Sequence, residues 1–161
     1  MRKPRILGRR ETNYYHIMSR VVNRDHVLGN EEKEFFRLAM RKLEAFMGVR
    51  ILTYCIMSNH WHILIEILPA KKVDDDELLR RIRQFYSKQR ANAILQHYER
   101  ALAHADKTGN EAWLNEWREQ YISRMGNLSI FVKELKECFS KWYNRKHNRR
   151  GTLWRNASRA F

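Results

Sequence analysis

The stretch ILTYCIMSNHWHILIEI, residues 51–67, contains two runs rich in β-branched and aromatic side chains, separated by Ser58 and Asn59. Short runs of this composition around a polar turn predict a β-hairpin, with strands over 51–57 and 60–67. The hairpin determines the arrangement of the other elements, because they have to cover its apolar face.

Alternate side chains of a strand share a face. In the second run one set begins with two histidines: His60, His62, Leu64 and Glu66. The other set is wholly apolar and is predicted to pack beneath helices: Trp61, Ile63, Ile65 and Ile67.

Two imidazoles two residues apart on one strand face can bind the same divalent cation, which needs at least one further nitrogen or oxygen ligand. Glu66 lies about 13 Å along the strand from His62, too far to supply it. Such pairs also arise by chance, as ordinary structural histidines. Here the pair lies beside a turn, where ligands can approach, and burying it without partners would cost free energy.

Outward from the hairpin, residues 14–22 read as a first strand, and Asn30 is placed to cap a helix that ends at Gly48. Residues 75–126 carry helical apolar stripes interrupted at Gly109-Asn110, which predicts an inserted helical hairpin. A last helix is predicted over about 128–147, with Trp142 on its inner side. This order predicts an α+β fold.

Composition excludes several classes of protein. The chain has 161 residues, of which 43% are hydrophobic, too many for a disordered chain. No apolar run approaches the roughly 18 residues of a membrane span, and the basic start lacks the apolar stretch of a secretory signal. Cys55 and Cys138 show no zinc-finger spacing. We expect a single cytoplasmic domain, 1–161, without a membrane partner.

The positive charge is concentrated at the two ends of the chain. Residues 1–30 carry seven basic and two acidic residues, and residues 127–161 carry nine and two. The stretch 31–126 has sixteen basic and fourteen acidic residues. It therefore contributes little to the formal net charge of the chain, which is +14. If the ends meet, they form a cationic surface suited to a phosphate backbone; otherwise they are solvated tails.

Three blocks of sequence carry a family resemblance: YYHIMSR at 14–20, LTYCIMSNHWHILIE at 52–66 and FSKWYNRKHNRRGTLW at 139–154. In this order they resemble the REP-associated tyrosine transposases, a branch of the single-tyrosine HUH transposases. The resemblance implies a ferredoxin-like antiparallel sheet with packed helices, and metal-dependent cutting and joining of single-stranded DNA at palindromic hairpins. It assigns His60 and His62, with a third polar ligand, to Mg²⁺ or Mn²⁺.

The resemblance and the residue chemistry also suggest contacts with DNA. Arginine and lysine pair phosphates, tyrosine, histidine and tryptophan offer flat faces to unpaired bases, and an asparagine suits a base edge or a phosphate. The predicted DNA contacts are Ser19, Arg20, Tyr143, Asn144, Arg145, Lys146, His147, Arg149, Arg150 and Trp154. For Trp154, packing in the core is an equal alternative.

The family's nucleophilic tyrosine lies on a helix after the block that ends at Trp154, one turn before the third metal ligand. Both positions are expected beyond Phe161, so the sequence resembles a C-terminally truncated transposase. Residues 155–161 can be encoded by nucleotides that read Glu-Arg-Phe-Lys-Ser-Val in another frame, which favours a frameshift. Tyr143 is a weak stand-in nucleophile, and Tyr121 is interpreted as core.

Three functions remain open at this point. The first is DNA transposition by strand cutting and joining, and the second is a non-catalytic hairpin-DNA-binding remnant. The third is RNA binding by the open sheet, against which the absence of an RNP-like aromatic motif argues. The resemblance favours a monomer over a homodimer.

Overall fold

The computed structural model describes residues 12–68, 73–155 and 159–160. The described elements are β1 (Asn13–Arg20), α1 (Asn30–Met47), β2 (Arg50–Ile56), β3 (His60–Ile67), α2 (Asp75–Phe85), α3 (Lys88–Thr108), α4 (Ala112–Ile122), α5 (Leu128–Lys146) and β4 (Arg159–Ala160). They belong to two compact units, one within 1–70 and 126–161 and the other within 71–125. Across the described ranges, no helix combines the length and apolar character needed to cross a membrane.

The first unit contains a sheet with the strand order β2-β3-β1-β4, in which all neighbours are antiparallel. With α1 between β1 and β2, and α5 before β4, this is the ferredoxin-like arrangement. The predicted α+β fold with an antiparallel sheet is confirmed. The predicted hairpin is confirmed too, with its turn over residues 57–59.

One face of the sheet is packed against helices. Trp61, Ile63 and Ile65 are fully buried, as the alternation predicted, while Ile67 is only half-buried. The ring of Phe36 on α1 lies 5.4 Å from that of Trp61. Burial of these side chains is the main contribution to the stability of this unit.

The opposite face carries exposed or half-buried side chains. In an antiparallel pair, residues directly opposite each other share a face. Around the histidines, the register assigns eight such side chains to one surface, the open face: His16, Met18, Arg20, Thr53, Cys55, His60, His62 and Leu64. The buried Glu66 lies beyond them on the same side of β3. This face is where a ligand can reach the sheet.

Helix α1 begins one position differently from the prediction. Gly29 occupies the N-cap and Asn30 is the first helical residue, without a side-chain cap. At the other end Gly48 adopts φ 66°, the left-handed conformation that lets glycine end a helix, as predicted.

The second unit has three helices where the sequence predicted a hairpin of two. The apolar stripe runs through Phe85 and Tyr86 and hides the break between α2 and α3. The break is marked by Ser87, whose side chain accepts a hydrogen bond from the Arg90 backbone and caps α3. The predicted end at Gly109 is confirmed, with φ 69°.

Side chains from all three helices of this unit meet around one carboxylate. Arg118 of α4 forms a 2.7 Å ion pair with Asp75 of α2, and the Tyr98 hydroxyl of α3 donates to the same residue at 2.8 Å. A buried pair of alanines, Ala101 and Ala105, lets α3 approach Leu114 of α4 closely. These contacts give the second unit its own core.

Candidate metal site and nucleic-acid interface

The two predicted ligands, His60 and His62, lie half-buried at the start of β3 on the open face. Their ring centroids are 5.2 Å apart, with an interplanar angle of 78°. A metal–nitrogen bond of about 2.1 Å puts an ion roughly 3.2 Å from each centroid, so two imidazoles at about 90–110° on one ion have centroids about 4.5–5.2 Å apart. The observed separation fits two ligands of one cation.

The turn before β3 fixes the protonation of the first histidine. Nδ1 of His60 lies 2.7 Å from Oδ1 of Asn59. An amide oxygen only accepts hydrogen bonds, so Nδ1 of the neutral ring carries the proton and Nε2 keeps its lone pair. An orienting contact of this kind is typical of metal-binding histidines.

The surroundings favour the neutral, metal-binding form of both rings. Burial lowers the pKa of His60, and the nearby Arg20 and His62 lower it further. Burial also lowers the pKa of His62, with further contributions from His16 and Arg20. Since a metal competes with protons for the imidazole lone pair, these shifts keep the site ready at neutral pH.

A third histidine, His16, lies beside this pair and is not evident from the sequence pattern. Nε2 of His16 lies 2.9 Å from Nδ1 of His62, and the two rings are stacked at 5.1 Å. Its position in YYHIMSR puts it on the same strand face as Met18 and Arg20, but only the pairing of β1 with β3 brings it beside His62. The sequence alone does not give the register of β1 with β3, so this contact could not be predicted.

The imidazoles of His60 and His62 can bind a divalent cation, but two ligands do not complete its coordination shell. Within the described ranges, no group of three His, Cys, Asp or Glu side chains is arranged to hold a metal ion. Glu66 is buried and ion-paired with Arg50 at 3.3 Å. His60 and His62 therefore supply two ligands, and oxygen ligands from outside this set have to complete the site.

We expect His16→Ala to weaken Mn²⁺ binding about tenfold, because the loss of an orienting contact typically costs 10–100-fold in metal affinity. His16→Gln, which can still contact Nδ1 of His62, should recover most of the affinity. Isothermal titration of each variant measures this. Equal affinity in wild type and His16→Ala would show that His16 plays no part.

Arg20 is the predicted DNA contact that the structure puts closest to the histidines in the sheet, directly opposite His60. Its Nε is buried and has no hydrogen-bond partner among the described residues. A guanidinium N–H without a partner, next to a candidate metal site, can donate a hydrogen bond to a phosphate oxygen. Ser19 is 1% exposed on the core face, where its side chain is not accessible to DNA.

Two of the predicted base-stacking residues are also corrected. Trp154 is 4% exposed and packs among aromatic side chains of the core, and Tyr143 is 8% exposed. The Tyr143 ring lies 5.9 Å from Phe139 and 4.2 Å from His147. Neither ring can stack with a base without leaving the core. Trp142 is half-buried, with its ring stacked on Phe35 at 4.0 Å.

Two predicted phosphate or base contacts are engaged with acidic residues instead. Nζ of Lys146 lies 2.6 Å from Glu31 and 2.9 Å from Glu32, and Nε2 of His147 lies 3.1 Å from Glu32. These pairs join the end of α5 to the start of α1. The positive charge of Lys146 is thereby largely neutralised within the protein.

The remaining predicted contacts lie around the turn after α5. Asn144 donates from Nδ2 to the Gly151 carbonyl at 3.0 Å and so shapes this turn. Arg145 and Arg150 are exposed, and Nη1 of the half-buried Arg149 has no partner within the described parts of the chain. Of the predicted contacts in this region, the arginines are accessible to a ligand, whereas the aromatic residues Tyr143 and Trp154 are not.

Glu32→Gln is expected to destabilise the protein by about 1 kcal/mol near pH 7, because the partly buried hydrogen bonds with Lys146 and His147 lose the charge of the carboxylate. The hydrogen bond from Lys146 lowers the pKa of the Glu32 carboxyl below its unfolded value. This contribution is therefore present above about pH 4.3 and is lost as the pH falls further. Urea unfolding at pH 7 and pH 3 checks it: the difference between the two proteins should be smaller at pH 3, and a constant difference would contradict the assignment.

The two basic ends of the chain meet at the end of β1, so far as the structure describes them. Val21 forms an isolated antiparallel bridge with Trp154, and the Arg155 backbone donates to the Arg20 carbonyl at 2.9 Å. Arg20, Arg24 and Arg155 thus lie on adjoining segments. Residues 1–11, which carry part of the N-terminal charge, lie outside the described residues.

Comparisons with known proteins agree with this fold. The family described as "Transposase IS200 like" matches residues 10–123. The chain is similar to a solved REP associated tyrosine transposase bound to a REP hairpin, with a TM-score of 0.51 and 12% identity, over 100% of this chain and 61% of that one. It thus spans about three-fifths of that protein's length.

A second similar structure comes from Deinococcus radiodurans and is provisionally named a transposase. Its TM-score is 0.35 and its identity 20%, over 62% of this chain and 72% of that one. A comparison with curated proteins found no match. At 12% identity the REP associated tyrosine transposase shows the fold alone, while the family match covers most of the chain.

Proposed function

Because this chain belongs to the family of IS200-like transposases, we propose that it binds hairpin-forming single-stranded DNA across the open face. In this proposal His60 and His62 hold a divalent cation, Mg²⁺ or Mn²⁺, beside one phosphate of the strand. The observation that carries the proposal is the pair of half-buried imidazoles with centroids 5.2 Å apart, opposite an arginine whose Nε lacks a partner among the described residues.

The choice of hairpin DNA is supported by the solved relative, which is named as a transposase bound to a REP hairpin. We propose that this chain belongs to the REP-associated branch of the family. The three sequence blocks and the shared fold support this assignment. The formal charge of +14, with arginines around the end of β1 and the turn after α5, supports a phosphate backbone as the partner.

A bound cation would act as a Lewis acid that polarises the phosphodiester. The protein's own residues position it: Asn59 keeps the lone pair of His60 Nε2 free for the ion, and Arg20 balances negative charge on a non-bridging phosphate oxygen. In the reaction of the family, a tyrosine oxygen bonds to phosphorus as the bond to the 3′ oxygen breaks, leaving a 5′-phosphotyrosine and a 3′-hydroxyl.

Tyr143 is not suited to be that tyrosine. It is 8% exposed and packed between Phe139 and His147. A hairpin-DNA-binding protein without strand cleavage is the second candidate function, in which Tyr143 needs no catalytic role. We assign the nucleophile to no described residue.

Fluorescence anisotropy with a labelled palindromic DNA hairpin tests the proposal. We expect the hairpin to bind at least tenfold more tightly than a blunt duplex or an RNA hairpin of the same sequence, at moderate salt. Arg20→Gln should weaken binding several-fold, while Arg100→Gln, which removes an exposed charge on α3, should change it little. Equal affinity for all three nucleic acids, or stronger binding of the RNA, would overturn it.

The two candidate functions differ in one product. Incubation with the hairpin and Mn²⁺, followed by denaturing gel electrophoresis in SDS, shows whether a covalent protein–DNA adduct forms. An adduct establishes strand cleavage, and peptide mapping then identifies the tyrosine. Tight hairpin binding without an adduct, at any Mn²⁺ concentration, favours the non-catalytic function.

A further inference from the structure

The positive charge of the second unit is concentrated in one segment. Residues 80–90, from the end of α2 to the start of α3, contain five basic residues and no acidic one. Residues 91–123, which make up most of the unit, contain three basic and five acidic residues. The basic residues are therefore grouped along the chain, and a group of this kind attracts a polyanion.

The acidic residue nearest to this segment is already paired. Glu77 forms ion pairs with Arg80 at 2.7 Å and with Arg81 at 2.6 Å. The other basic residues of the segment form no ion pair with any described acidic side chain: Arg83, Lys88 and Arg90. All three are exposed, so their charge is available to a partner.

Two arginines from different segments meet at one tyrosine here. The Cζ atom of Arg90, in the first turn of α3, lies 5.3 Å from the centroid of the Tyr86 ring. Nη1 of Arg124, which follows α4, donates to the Tyr86 hydroxyl at 2.6 Å, and its Cζ lies 5.7 Å from the centroid of the Phe85 ring. The fold of the unit thus builds an arginine–aromatic cluster, made of Phe85, Tyr86, Arg90 and Arg124.

The cluster is suited to phosphate groups. A guanidinium held over an aromatic ring keeps its orientation, and the N–H donors at its edge can form paired hydrogen bonds with phosphate oxygens. An aromatic ring that carries a guanidinium is less accessible to an unpaired base. Arg90 and Arg124 cover Tyr86 and Phe85 in this way. The cluster therefore fits a phosphate backbone of any sequence rather than an unpaired nucleotide.

We propose that the arginine–aromatic cluster binds the phosphate backbone of a duplex DNA segment, separate from the hairpin at the open face. Lys88 and Arg83 extend this surface. Duplex DNA is the best partner, because its two strands give it the higher density of phosphates. Strand joining brings two DNA segments to one protein, and a second surface lets one chain hold both. This use in strand joining rests on the proposed function, whereas duplex binding by the second unit does not.

The test measures the anisotropy of a labelled duplex of random sequence, added to protein that already holds a stoichiometric amount of unlabelled hairpin. We expect the duplex to bind with a dissociation constant of about 1–100 μM at physiological salt, the usual range for contacts with phosphates alone. It should do so without displacing the hairpin. A single strand of the same length should bind more weakly.

Arg90→Gln and Arg124→Gln should each weaken duplex binding several-fold, and the double variant at least tenfold, while the affinity for the hairpin stays within about twofold of wild type. The slope of log affinity against log salt concentration should fall by about two in the double variant, because two phosphate contacts are lost. Arg100→Gln, which removes an exposed arginine of α3 outside the cluster, is the matched control. Thermal unfolding verifies the fold, and Arg90→Gln alone removes only an exposed side chain.

The outcomes separate this inference from the proposed function. A duplex that displaces the hairpin, that does not bind, or that binds the double variant as tightly as wild type overturns the inference and leaves the proposed function intact. Duplex binding that the double variant loses, without any preference for the hairpin, supports the inference and overturns the proposed function. Anionic lipid vesicles that bind more tightly than the duplex, with the same loss in the double variant, would assign the cluster to a lipid surface and contradict the inference.

Discussion

Replacing Trp154 with alanine is expected to destabilise the protein by about 3–5 kcal/mol, the usual cost of removing a buried aromatic side chain. The Trp154 ring lies 5.4 Å from Phe139, 6.2 Å from Phe36 and 6.4 Å from Trp61. Its Nε1 donates to the Lys136 carbonyl at 3.1 Å. The variant therefore leaves a large cavity between the sheet and helices α1 and α5. It also leaves the Lys136 carbonyl without this hydrogen-bond donor.

Urea unfolding followed by circular dichroism measures this loss. Trp142→Ala serves as the control, because Trp142 is only half-buried and its main ring contact is with Phe35. It should destabilise the protein by clearly less. A Trp154→Ala protein of wild-type stability that no longer binds DNA would contradict the core assignment and restore the base-stacking role predicted from the sequence.

His60→Ala and His62→Ala are each expected to lower the affinity for Mn²⁺ at least tenfold, and the double variant should show no specific binding. Either change removes one of the two imidazole ligands that the described residues offer to the proposed cation. Since both rings are half-buried on the open face, we expect the free energy of unfolding to change by no more than about 1 kcal/mol in each single variant.

Isothermal titration with Mn²⁺ and thermal unfolding, on the same preparations, check the two parts of this prediction. His104→Ala removes an exposed histidine from α3 and is the matched control. If both variants unfold and wild type binds no metal, the histidines are structural. If metal binding survives the double variant, the cation is held elsewhere.

Local patterns were sufficient to predict the framework of the first unit. The alternation in residues 60–67 separated Trp61, Ile63 and Ile65 from the histidine face, because side chains of a strand alternate whatever the tertiary structure is. Gly48 and Gly109 marked helix ends, because a left-handed residue at a helix end favours glycine. These predictions need no knowledge of which strand pairs with which.

Contacts between distant segments could not be read from the sequence. His16 reaches His62 only through the register of β1 with β3. The backbone of 153–155 returns to pair with the end of β1, which buries Trp154 and brings Arg155 close to Arg24. The sequence predicts that a basic or aromatic residue in a charged segment is exposed. Only the pairing of that segment with a distant strand shows that it is buried.

Lys146 illustrates the same limit for charges. In the sequence it belongs to a cationic run, and in the structure it is paired with Glu31 and Glu32, more than a hundred positions away. A count of charges overstates what a nucleic acid meets, because it includes those neutralised within the fold. The arginines of the turn after α5 and of the end of β1 remain for the phosphate backbone.

In the proposed complex, one cation is held by His60 and His62 and by a DNA phosphate together. Electron–nuclear double resonance of Mn²⁺ in the complex of protein and hairpin DNA measures this arrangement, because it detects the nuclei bonded to the ion. We expect nitrogen couplings from two imidazoles and a phosphorus coupling on the same Mn²⁺, with the nitrogen couplings lost in the His60→Ala, His62→Ala double variant. Phosphorus coupling without any imidazole nitrogen, as for Mn²⁺ bound to DNA alone, would contradict it.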